Sequence, residues 1–176
     1  MTDERLDPQL ERIAAALPRG TGVVVRHRSL PPAARIALVA RLKALARRRG
    51  LVLSVADPPP GVRADGVHLG STVRRRPLRR WPLVTAAVHD RREAARAIGL
   101  GAHVLFVSPV FATASHPRRA PLGPLRFGLL ARALPRPVVA LGGVDRRRFR
   151  RLEPLGAWGW AAIGAWAAQK ASAPPR

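Results

Sequence analysis

Residues 137–144 read Pro-Val-Val-Ala-Leu-Gly-Gly-Val, and residues 156–165 read Gly-Ala-Trp-Gly-Trp-Ala-Ala-Ile-Gly-Ala. Each is a short apolar run that stops at glycine. A strand covered on both faces reads as a continuous apolar run rather than an alternation, and a glycine at its carboxyl end leaves backbone amides unhindered toward a phosphate. One such ending is a weak signal. Two in adjacent units match the way parallel (β/α) barrels receive phosphate on the loops after their last two strands. These stretches set the first reading: a parallel α/β sheet with an anion site at Gly142, Gly143 and Gly164.

Outward from there, the same alternation covers the chain. Apolar, β-branched runs predict strands at 22–26, 51–55, 66–69, 83–88, 103–107, 137–141 and 160–163. Between them, Ala/Leu/Arg-rich stretches predict helices at 32–49, where Ile36, Val39, Leu42 and Leu45 share one face, and at 91–100, where Asp90 and Glu93 have the spacing of a capping box. Gly50, Gly101 and Gly156 stand where helices should stop. This count is one strand short of the eight that close a barrel. Thr2-Asp3, followed by a helix at 8–17, reads as the carboxyl end of a first strand whose upstream residues are missing. The expected fold is a TIM-type (β/α) barrel lacking most of its first strand, with 1–176 as a single N-terminally truncated domain and 167–176 as a disordered tail. An open doubly wound sheet is the alternative, and it too places ligands beyond the carboxyl ends of its strands.

Composition excludes some chemistry. There is no cysteine, so disulfides, thiolate metal sites and cysteine nucleophiles are ruled out. No apolar run approaches the ~20 residues of a membrane span, and Met1 is followed by Thr-Asp-Glu-Arg rather than a basic-then-apolar leader. The reading is cytoplasmic, with no membrane partner. The net charge of +22 is almost all arginine, Lys43 and Lys170 being the lysines. Its triplets at 47–49, 74–76 and 146–148 are interleaved with Ala, Leu and Pro rather than with the aromatics of a stacking platform. The excess is read as compositional bias, and nucleic acid is not expected as a partner.

Other strand ends carry polar groups. Gly66-Val67-His68-Leu69-Gly70 places an imidazole at the mouth end of a strand, and Val88-His89 repeats the arrangement. Either histidine is as easily a packed one. Residues 108–117 read Ser-Pro-Val-Phe-Ala-Thr-Ala-Ser-His-Pro. There Thr113 and Ser115, two apart, point to one side of an extended loop, where they can hold a heterocycle or phosphate. An ordinary hydroxyl-rich turn has the same appearance.

In this order and spacing the motifs resemble successive strand ends of the thiamine phosphate synthase/TenI family, over nearly the whole chain. The resemblance implies thiazole phosphate as a ligand, met by Thr113, Ser115, Gly142, Gly143 and Gly164, with His116 where the family has a lysine. It implies a pyrimidine-side histidine at His68, and pyrophosphate-facing cations at Arg26 and Arg28, the latter replacing a lysine. The family's Asn-Asp-Arg is read as replaced by Leu53-Ser54-Val55, and a later acidic metal ligand by Val73, so the Mg²⁺ site of a synthase looks dismantled. His89 stands at the position of the TenI catalytic histidine. The expectations are therefore, in order, a thiazole tautomerase using His89 without metal or cofactor, a divergent synthase (the one case calling for Mg²⁺), and a non-catalytic phosphate- or nucleic-acid-binding protein. Self-association into a homo-oligomer is left open.

Overall fold

The computed structural model describes residues 1–113 and 120–163, with all side chains but those of residues 5, 6 and 8. The chain packs as two compact units. The first runs from Met1 to His68 and takes in Arg80–Leu83. A 3-10 turn, Glu4–Gln9, leads into α1 (Leu10–Ala15), followed by β1 (Gly22–Val25), α2 (Pro32–Arg49), β2 (Val52–Ala56) and β3 (Gly66–Leu69). β1 pairs parallel with β2, and β2 with β3, with Val25 opposite Val55 and Ala56 opposite His68. Arg26, the residue after Val25, therefore follows at the level of Ala56 and His68.

Valines at 23–25 are buried on both faces of β1, as a parallel strand requires. Leu38, Val39, Leu42 and Ala46 of α2 pack with Leu10 and Ala14 of α1 against Val23, Val25, Leu53 and Val55. α2 keeps the expected span: Pro32 starts it, its fixed φ suiting a first turn, and Gly50 ends it in the left-handed region at φ 65°. Its face is turned from the one expected, because Ile36 is 40% exposed while Arg35 takes the inward position. Behind β3, Asp65 accepts from the Leu53 amide at 2.9 Å and from the Lys43 ammonium. Burial alone would raise this carboxyl, but those two donors hold it below its ordinary value. A Cβ on Gly66 would sit 2.6 Å from the Leu83 carbonyl oxygen and 2.8 Å from Ser54 Oγ, so only glycine fits there.

The second unit comprises Leu69–Arg79 and the described residues from Val84 onward. Its elements are β4 (Leu83–Val88), α3 (Arg91–Gly99), β5 (Val104–Val107), α4 (Gly123–Arg132), β6 (Val138–Leu141), α5 (Arg146–Leu152), a 3-10 turn (Glu153–Leu155) and β7 (Gly159–Ala161). All its strands are parallel and neighbour one another in chain order, with Val88 opposite Val107, Val107 opposite Ala140 and Leu141 opposite Ala161. Leu105, Val107, Phe127, Ala140 and Leu152 are fully buried at its centre. Chain-order pairing in each unit departs from a doubly wound sheet, whose order reverses. The connection 70–82 contains no helix.

Two boundaries correct the sequence reading. β2 runs to Ala56, so the residues at its carboxyl end are Ala56 and Asp57 rather than Leu53-Ser54-Val55; Ser54 is 3% exposed within the sheet, opposite the buried Val24 of β1. β7 starts at Gly159 and stops at Ala161, short of the expected 160–163. Thr2 donates its amide to the Val24 carbonyl at 2.8 Å, flanking β1 as the end of a strand would.

Candidate functional site

At the carboxyl ends of β1 and β2 the first unit gathers cations. The Arg28 guanidinium meets the Asp57 carboxylate at 2.7 Å, both side chains being about half exposed. Asp57 itself holds a left-handed φ of 46°, rare outside glycine, and this turns the chain from β2 into Pro58-Pro59-Pro60. Arg35 reaches the same place from α2. Only 6% exposed, it donates to the carbonyl of Asp57 at 2.7 Å, to that of Ala56, and to that of Arg26 at 3.4 Å. Its Nε is buried without a partner. Burial, with Arg28 pushing the same way and Asp57 the other, holds this guanidinium below its ordinary pKa.

Arg26 is fixed from behind. Its amide donates to Thr2 Oγ1 at 3.0 Å; Thr2 Oγ1 lies 3.0 Å from His27 Nδ1, and His27 Nε2 lies 2.5 Å from Asp7 Oδ1. A carboxylate only accepts, so Nε2 carries a hydrogen and a neutral His27 accepts from Thr2 at Nδ1. His68, 3% exposed at the end of β3, has its pKa lowered to about 3 by burial first, then by the positive charges of the amino terminus, Arg26 and Arg28. It is a neutral imidazole across the physiological range, unsuited to the proton shuttling that its position at a strand end allowed.

In the second unit His89 follows β4, partly buried. Its backbone amide and Nδ1 both lie 2.8 Å from Glu93 Oε2, while Asp90 caps α3 by accepting from the Glu93 amide at 2.7 Å. The Asp90 half of the expected capping box is present, but the Glu93 carboxylate accepts from the amide of His89, one residue before the cap. With Glu93 accepting at Nδ1, a neutral His89 keeps its lone pair on Nε2. Gly142 and Gly143, after β6, adopt φ of 92° and 61°. Residues 109–112 lie directly against them: a Cβ on Gly142 would be 2.7 Å from Pro109 Cα, and one on Gly143 2.5 Å from the Ala112 oxygen. Arg148 of α5 donates to the Gly143 carbonyl and lies 5.0 Å from the centre of the Phe111 ring. Thr113 is partly buried just beyond that segment, whereas Ser115, His116 and Gly164 lie outside the described residues.

Each unit thus brings part of the expected set together: Arg26, Arg28 and His68 in the first, Gly142, Gly143 and Thr113 in the second. Sequence reasoning missed Arg35 and Arg148. The first had a signal, since Arg35 falls on the 35, 39, 42, 46 stripe of α2.

A family model described as thiamine monophosphate synthase matches residues 1–166. The chain belongs to that family. Among its relatives, the thiamine-phosphate synthase of Thermosynechococcus vestitus is 32% identical over 160 residues, covering 86% of this chain and 46% of that protein. The thiamine-phosphate synthase of Syntrophomonas wolfei is 30% identical, covering 89% of this chain and 79% of its own length. Against the first of these, the chain spans under half the relative's length. In the solved structure of a thiamine phosphate pyrophosphorylase from Pyrococcus furiosus the likeness is 28% identity with a TM-score of 0.79, over 93% of this chain and 83% of that one. The fold class is accordingly the TIM-type α/β one. These relatives carry the names of synthases, which favours transfer over the tautomerisation ranked first from sequence.

The synthase chemistry of the resemblance calls for Mg²⁺, and the residues here do not fit it. Mg²⁺ asks for near-octahedral oxygen ligands, typically with one or two carboxylates. The carboxylate at the end of β2, Asp57, is engaged by Arg28, and among the described residues no three His, Cys, Asp or Glu side chains cluster in a way that could hold a metal. No helix among the described residues is long and apolar enough to cross a membrane.

Proposed function

We propose that the chain is a thiamine-phosphate-forming transferase, joining a hydroxymethylpyrimidine pyrophosphate to a thiazole phosphate. The thiazole nitrogen lone pair forms the new N–C bond; the C–O bond to pyrophosphate breaks, and the leaving group takes the bonding pair. The observation that carries this reading is the concentration of arginine at the ends of β1 and β2, where Arg28 pairs with the Asp57 carboxylate and Arg35 donates to the backbone carbonyls of Asp57 and Arg26. Fixed cations aimed at charge that develops on a leaving group are worth most in a site where water is scarce. A tautomerase generates no such charge and has no use for them. In the same reading His68 faces the pyrimidine as a neutral hydrogen-bonding group. Gly142 and Gly143, with Arg148 beside them, receive the thiazole phosphate, and Thr113 the heterocycle, together with Ser115, His116 and Gly164 by resemblance. His89 acts through Glu93, holding the first turn of α3.

The test is product analysis by mass spectrometry with both substrates present and with thiazole phosphate alone. Thiamine phosphate and pyrophosphate are expected in equal amounts from the pair. Conversion of the thiazole tautomer with no coupled product would instead return the assignment to tautomerisation. Arg26→Gln is expected to lower kcat by about 10²-fold, as loss of one preorganised donor does, with the KM for thiazole phosphate little changed.

A further inference from the structure

Two of the cations at the ends of β1 and β2 have partners that a competing anion could improve on. Arg35, buried to 6% exposure, has carbonyl oxygens as its hydrogen-bond acceptors, and its Nε has no partner. Arg28 is balanced by Asp57, but both side chains are half exposed, so this pair can open to a competing anion. The amide of Arg26 is held by Thr2, and its carbonyl by Arg35, which fixes the backbone on both sides of its side chain. Burial is the first cause of the lowered pKa of His68, but the charges that add to it, those of the amino terminus, Arg26 and Arg28, are all positive and set a positive potential here. A divalent cation would enter against that potential, whereas a diphosphate would relieve it.

Building on the transferase reading above, we infer that Arg26, Arg28 and Arg35 form a metal-independent diphosphate cradle, in which guanidinium charge does for the departing pyrophosphate what a divalent cation does elsewhere. On binding, Arg28 exchanges the Asp57 carboxylate for phosphate oxygens. Guanidinium suits the task because it stays charged and presents paired N–H donors to two oxygens at once. The buried Arg35 gains, from an anion close by, the compensation its carbonyl partners do not supply.

The experiment is calorimetric titration of the full chain with inorganic pyrophosphate in excess EDTA and again with Mg²⁺, accompanied by thermal melts. Saturable binding in EDTA is expected, with Arg28→Gln weakening it at least 10-fold while leaving the melting temperature near that of the parent. Arg48→Gln removes the same charge from the exposed end of α2 and should leave affinity unchanged within about 2-fold, since an exposed distant charge is screened. Arg35→Met should abolish binding; if it does not fold, Arg28→Gln and the metal comparison decide. Binding that appears only with Mg²⁺, or that Arg48→Gln weakens as much as Arg28→Gln, would overturn the cradle. Pyrophosphate bound in EDTA with no thiamine phosphate formed would remove the transferase and leave the cradle. Product formed with Mg²⁺ but no pyrophosphate bound in EDTA would do the reverse.

Discussion

His68 shows how a single residue's surroundings decide its chemistry. In the unfolded chain it titrates near 6.5, and in the fold near 3. Between those values the unfolded state binds a proton that the folded state refuses, so stability falls as pH drops through that window, by about 1.4 kcal/mol per unit at most. Asp65, held below its ordinary value, adds its own loss only near and below 3.8. Urea midpoints at pH 7 and pH 4.5 should therefore separate for the parent protein and less for His68→Asn, the rest coming from the buried amino terminus, lowered from 8.0 to about 5. Equal separation would mean that His68 charges freely in the fold. Gly143 carries a different lesson. From sequence its reason is an open amide for phosphate, yet a side chain there would strike the Ala112 oxygen at a φ of 61°. Gly143→Val should consequently lower the melting temperature as well as phosphate affinity, so it reports on folding before it reports on a ligand. The partner of that contact lies far away in the chain, and no local pattern announces it.

Among the elements, those with local punctuation were readable. α2 is bounded by Pro32 and Gly50 and α3 by the Asp90 cap, and both lie within a residue of expectation. What periodicity could not fix was rotation and register: α2 turns Arg35 inward and Ile36 outward because the strand-end carbonyls of Arg26, Ala56 and Asp57 offer a guanidinium more than they offer an isoleucine. β2 slid one residue for a similar reason, its apolar run being long enough to allow either frame. Asp90→Ala should cost about 1 kcal/mol, the usual value of an N-cap, and should also loosen His89, since Glu93 holds both; chemical-shift changes at His89 would report it. Gly66→Ala should destabilise by about 1–3 kcal/mol through overpacking against Leu83 and Ser54, measurable by denaturant titration. No change in stability would show that β3 can shift to make room.

For the whole molecule, family and fold class were legible because the motifs sit at strand ends, where parallel sheets keep their functional groups whatever else drifts. The choice between activities was not legible, since the transferase proposed above rests on an arginine that α2 turns toward the ends of β1 and β2. The net charge of +22 remains mostly surface arginine, with the guanidiniums of 47–49, 74–76 and 146–148 on exposed residues. Non-specific adsorption to DNA is expected at low salt and should collapse steeply as salt rises; sequence-selective binding at physiological salt, seen by competition with unrelated duplexes, would contradict this. One feature of the second unit bears on heat rather than on charge. The Val110 and Phe111 amides bond to the carbonyls of Leu141 and Gly142 at 2.9 and 3.0 Å, so the glycine turn is clamped before any ligand arrives. An anion received there orders little that was not already ordered, and its binding should show a favourable enthalpy with a small entropic penalty.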